Sequence, residues 1–151
     1  MEVTVKKMNR FLMFKLPAAF FCGVRLKSLE DTKAVVTVTH RWINQNPFNS
    51  MYFAVQSMAA ELSTGALVIN EIQKSGQKIS MLVTNHSGAF TKKAVGKIAF
   101  TCNDGKSIKA ALEKAIETAD GQTIKMKSIG VDESGEQVST YEFEWSVKLR
   151  K

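Results

Sequence analysis

Two histidines, two cysteines and two prolines are all that a chain of 151 residues contains of these types, and the scarcity excludes several kinds of function. Cys22 and Cys102 are far apart, with no further cysteine or paired histidine at metal-ligand spacing, so neither a metal site nor a disulfide framework is expected. Both sit in apolar company, which predicts buried reduced thiols and a cytoplasmic compartment. His40 and His86 have no serine or cysteine partner in an elbow or triad motif, which argues against that form of nucleophilic catalysis. No apolar run goes uninterrupted for a membrane-spanning length. Arg10 and Lys15 break the first apolar stretch, so it reads as an amphipathic helix and not as a signal peptide.

What is present describes an ordinary folded protein. Apolar residues make up 44% and charged residues 23%, as expected for one domain over 1–151, with 1–17 as an N-terminal helical extension. A net charge of +7 favours an anionic partner. The lysines are dispersed and not clustered in a stripe with aromatics, so nucleic acid is not the expected partner.

Along the chain, 3–15 predicts a first helix ended by Pro17, with Phe11, Leu12, Phe14 and Leu16 packed on the body. Alternation from Phe20 and over 33–42 predicts two strands. A third strand runs from Ile79 towards Phe90, with a bulge or bend at Ser87-Gly88. A fourth spans 96–102, a short helix 107–118 is capped by Asp104 or Ser107, and 123–132 and 137–149 form a closing hairpin.

Between the second and third strands lies the stretch that organises the rest, 44–70, in which Glu61 is the only charged residue. Asn49 or Ser50 can cap a helix that starts at Met51 and continues to about Ala66, with apolar side chains around nearly its whole circumference. Such a helix is buried on most sides. Six mostly antiparallel strands cover it and their own apolar face only by curling around it, which is the hotdog fold of the α+β class. A lone carboxylate in that helix is either catalytic or held structurally, by Arg41 or by core hydroxyls.

The stretches 46–65, 89–102 and 131–138 resemble the hotdog-fold thioesterase-like superfamily, in particular a branch near the phenylacetate-pathway acyl-CoA thioesterases. The resemblance implies a homodimer joined edge to edge through the strand after the helix, with a dimer of dimers as the next assembly. It implies an acyl-CoA or acyl-carrier thioester as substrate, coenzyme A entering only as part of it, with no cofactor and no metal. Glu61 matches the helix acid that activates water, and Asn46 the loop group that contacts the carbonyl, although both Asn46 and Asn49 are also natural turn and cap residues. Backbone N–H groups of Asn49, Ser50, Met51, Tyr52 and Phe53 match the oxyanion hole. Phe48, Gly65 and Phe90 join them in the substrate-binding set, and Lys92 and Lys93 match the place where relatives hold the coenzyme A phosphates. The loop signature HisGlyGly of many active relatives is absent, with Asn49-Ser50-Met51 in its place. The same resemblance therefore allows a non-catalytic acyl or acyl-CoA binding module. A third reading, from charge alone, is association with nucleic acid or an anionic membrane through the N-terminal helix and its lysines.

Overall fold

The computed structural model describes residues 3–150. Two helices, α1 (Val5–Lys15) and α2 (Pro17–Phe21), precede β1 (Arg25–Leu29) and β2 (Ala34–Thr39). The long helix α3 (Phe53–Ser75) follows, then β3 (Ile79–Phe90), β4 (Lys97–Cys102), α4 (Gly105–Thr118), β5 (Gln122–Val131) and β6 (Gln137–Leu149). The strands form one antiparallel sheet in the order β1-β2-β4-β5-β6-β3. All six strands contact α3, so the sheet curls around the helix as the hotdog architecture requires.

Alternation makes this possible. Val36 and Val38 on β2, Ile98 and Phe100 on β4, and Tyr141, Phe143, Trp145 and Val147 on β6 are buried at every second position against the helix. The helix answers with small residues, Ala59, Ala60, Gly65 and Ala66, that let it sit close to the sheet. Three polar contacts then fix its register: Ser139 Oγ donates to Gln56 Oε1 at 2.8 Å, the Ser63 and Ser128 hydroxyls pair at 2.7 Å, and Trp145 Nε1 donates to Thr64 Oγ1 at 2.9 Å. Thr64→Val keeps the shape but orphans the buried indole N–H. It is expected to cost about 1–3 kcal/mol, read by urea unfolding.

Several boundaries differ from the sequence expectation. The central helix starts at Phe53 with Tyr52 as N-cap, and neither Asn49 nor Ser50 caps it. Both are used upstream, Asn49 at φ 56 in a tight loop and Ser50 in hydrogen bonds to Asn46. With no breaker in the way, the helix runs past Ala66 until Gly76 ends it in a left-handed C-cap. Pro17 ends α1 but also opens α2, because a proline at the first helical position lacks an N–H that would be unpaired anyway. The first strand therefore begins only at Arg25. Pairing is regular at Ser87 and Gly88, where the missing Cβ leaves room for the Tyr141 ring. The bulge sits at Val83/Asn85 instead, and Thr84 Oγ1 reaches the Glu144 carboxylate at 2.7 Å. Asp104 is the N-cap of α4 but makes no side-chain cap bond, since its carboxylate accepts from the Lys127 N–H at 2.7 Å.

The first helix docks on a different face from the one expected. Met8 and Leu12 are its buried residues, whereas Phe11, Phe14 and Leu16 are exposed. Asn9 explains the orientation: its amide donates to the Leu26 carbonyl at 3.0 Å and accepts from the Leu26 N–H at 2.9 Å, satisfying the open edge of β1.

Candidate active site

One face of α3 carries Phe53, Ala54, Ser57, Met58, Glu61 and Leu62, spaced three and four apart, and lines a cavity of about 600 Å³. Leu12, Leu16, Pro17 and Ala19 of α1–α2 roof it, Lys15 stands at the rim, and Phe143 of β6 and His86 of β3 close the side. Among the described residues the Glu61 carboxylate has no hydrogen-bond or ion-pair partner, so the structural pairing with Arg41 is not formed. Burial alone pushes its pKa up to about 7. Gly65, one turn on, lets the helix lie close to Trp145: a Cβ there would be 3.2 Å from the indole ring, and in ordinary contact, at 3.5 Å, with Glu61 Oε1.

Asn46 lines a second cavity of about 480 Å³ with Phe48, Ser50, Met51, Tyr52, Phe90, Lys92 and Lys93. Phe53 lines both cavities, and Glu61 only the first. The Asn46 side chain is fully engaged in its own loop, accepting from the N–H groups of Phe48 and Ser50 and donating to Ser50 Oγ and the Met51 carbonyl. Ser50 and Met51 are buried, forming the floor, while Phe48, Tyr52, Phe53 and Phe90 are exposed aromatics around the rim. Phe53 packs edge-on against Tyr52 at 4.9 Å and Phe90 at 6.4 Å.

The expected row of oxyanion donors is shorter in the structure. Asn49 N–H donates to the Asn46 carbonyl, Ser50 to Asn46 Oδ1, Met51 to Ala94 and Tyr52 to Asn44. Among the described residues this leaves Phe53, and with it Ala54, as the first N–H groups of α3 without an acceptor. Lys92 is held by two carboxylates, at 2.8 Å from Asp132 and in contact with Glu136, so its charge is already matched. Lys93 donates to the Phe48 carbonyl at 3.1 Å and has no carboxylate partner among the described residues.

Two cavity groups had no role assigned from sequence. Ser57 is one helical turn before Glu61, a spacing that could have revealed it, and its hydroxyl lies 3.1 Å from that of Tyr141. His86 lies flat on Phe143, 5.6 Å between ring centres, a meeting set by the β3–β6 register that local pattern does not disclose. Neither cysteine is available as a nucleophile in this cavity: Cys22 is partly exposed but does not line it, and burial pushes the Cys102 thiol up to about 12. A larger cleft of about 690 Å³, between α3 and α4, contains none of the expected site residues. Its Asp31 and Glu71 are paired with Lys74 at 2.5 and 3.0 Å. No helix among the described residues is long and apolar enough to cross a membrane.

Solved structures share this fold along nearly the whole chain. PA5026 of Pseudomonas aeruginosa, described as a protein of unknown function and probable thioesterase, superimposes with a TM-score of 0.83 at 22% identity, covering 99% of both chains. A mutant of thioesterase PA1618 from the same organism gives 0.72 at 9% identity, over 99% of this chain and 97% of that one. Thioesterase HI1161 of Haemophilus influenzae gives 0.69 at 10%, over 99% and 93%. At such identities the likeness establishes the hotdog fold and no more. No curated protein matches the chain in sequence. A family model does match, over residues 5–147, and the chain belongs to that family, described as Domain of unknown function (DUF4442).

Proposed function

We propose that the protein is a homodimeric, cytoplasmic thioesterase that hydrolyses an acyl-CoA-type thioester with water activated by Glu61. The observation that carries this reading is the solitary Glu61 carboxylate, unpartnered, raised to about 7 and facing an apolar cavity of about 600 Å³. A carboxyl group tuned to neutrality can take a proton from water and return it within one turnover. Glu61 accepts the proton, hydroxide adds to the thioester carbon, and the oxyanion rests on the N–H groups of Phe53 and Ala54. The C–S bond then breaks, and the leaving thiolate takes the proton back from Glu61.

A second copy of the chain completes the site. Glu61 and Asn46 line separate cavities within one chain, and β3, with its twelve residues, is an edge strand with Leu82 exposed. Pairing of two β3 edges brings the Asn46 loop of one protomer towards Glu61 of the other, with Lys93 available to a coenzyme A phosphate. Asn46 then shapes the loop that frames the carbonyl and does not itself bind it, because its amide is already occupied. The test is thiol release from short, medium, long and aromatic acyl-CoAs by purified dimer. Turnover of at least one class is expected. Tight acyl-CoA binding with no turnover across the panel would sink the hydrolase and leave the binding module.

A further inference from the structure

The α1–α2 segment turns one side to the Glu61 cavity and leaves the other bare. Phe14 on α1 and Phe21 on α2 are 70% and 67% exposed, and Phe11 and Met13 beside Phe14 are exposed as well. Charge is as uneven as hydrophobicity. Residues 3–29 contain Lys6, Lys7, Arg10, Lys15, Arg25 and Lys27 and no aspartate or glutamate, so these six carry all but one unit of the chain's net charge of +7. The lysines are spread through the sequence, but the acids that balance them elsewhere are missing here. Arg25 is turned inward, its guanidinium 3.7 Å above the Phe20 ring and donating to the Phe20 and Val24 carbonyls. Lys6, Arg10 and Lys15 are exposed and form no ion pair among the described residues.

We propose that α1–α2 is a docking face for an anionic lipid bilayer, lying in the headgroup plane with Phe14 and Phe21 inserted and Lys6 and Arg10 on the lipid phosphates. Charge complementarity selects this occupant. A second copy meeting the same face would set like charges against each other, and single-stranded nucleic acid needs a groove with stacking platforms, whereas these phenylalanines stand on a convex helix beside the aliphatic Met13. Aromatic side chains ringed by lysine and arginine are the signature of a helix held at an interface and not across it. Docking brings the α1–α2 roof of the cavity to the bilayer, where long acyl chains partition. That consequence rests on the thioesterase reading, whereas docking itself does not.

Sedimentation of the full chain with vesicles tests it without reference to turnover. Binding is expected to vesicles of phosphatidylcholine mixed with phosphatidylglycerol, to be absent with phosphatidylcholine alone, and to weaken as salt rises. The double variant Phe14→Ser/Phe21→Ser should lose on the order of tenfold in partitioning. Lys6→Gln and Arg10→Gln should each lose roughly fivefold. All four positions are exposed, and unchanged thermal unfolding by circular dichroism verifies the fold. The proposal is overturned by no binding to mixed vesicles at low salt, by equal binding to neutral ones, or by binding that survives the variants. It is equally overturned if the phenylalanine variants break up an oligomer seen by light scattering, or if the chain is retained by single-stranded DNA and not by vesicles.

Discussion

Replacing Glu61 by glutamine is expected to lower kcat for thioester hydrolysis by a factor on the order of 10²–10⁴ and, at the same time, to stabilise the protein above neutral pH. The two effects have one cause. Burial lifts the Glu61 pKa from 4.5 to about 7, so between those values the native state binds a proton that the unfolded chain has released. Stability therefore falls as pH rises through this window, by up to about 3 kcal/mol, and is level above it. Glutamine has no charge to desolvate, so the variant should lack this slope. Activity runs the other way: a general base must be ionised, so kcat/KM should rise with pH to a plateau above about 7. Denaturant unfolding of both proteins at acid and mildly alkaline pH, beside the rate profile, reads both. A glutamine variant less stable than wild type at alkaline pH would mean that the carboxylate stabilises the fold, and its catalytic assignment would fall.

The fold was legible because its signals are periodic and local. Alternation in β2, β4 and β6, the apolar circumference of α3 and the turn residues before β6 each follow from neighbouring residues, and together they leave one architecture. The site was legible only where chemistry is anomalous in composition, as with one carboxylate in an otherwise uncharged stretch. What the sequence withheld is non-local. That the N–H groups of Met51 and Tyr52 go to Ala94 and Asn44 depends on chain crossings, and so does the removal of Lys92 by Asp132 and Glu136. The docking face of α1 was misjudged for a related reason. Leu12 packs as expected, but with Met8 and Asn9 on its side and not with Phe11, Phe14 and Leu16, and the Asn9 bonds to the β1 edge that settle the matter are invisible without the sheet.

Those N-terminal helices roof the Glu61 cavity, so they are expected to exclude water from the carboxylate, and Leu12→Ala tests it. Leu12 is fully buried in the roof of the cavity, and its truncation is expected to cost about 2–5 kcal/mol. The instructive effect is on the carboxylate. Desolvation is the only cause of its raised pKa, so a roof that admits water should return Glu61 towards 4.5, moving the rise in activity to lower pH and flattening the pH dependence of stability. Lost stability alone would not do this, and Met8→Ala separates the two. Met8 is buried on the same helix but does not line the cavity, so its truncation should weaken the fold comparably while the activity limb stays near 7. If both variants leave the limb in place, the water excluded from Glu61 is kept out by the sheet side of the cavity, at Phe143 and His86, and the N-terminal helices contribute packing without tuning the acid.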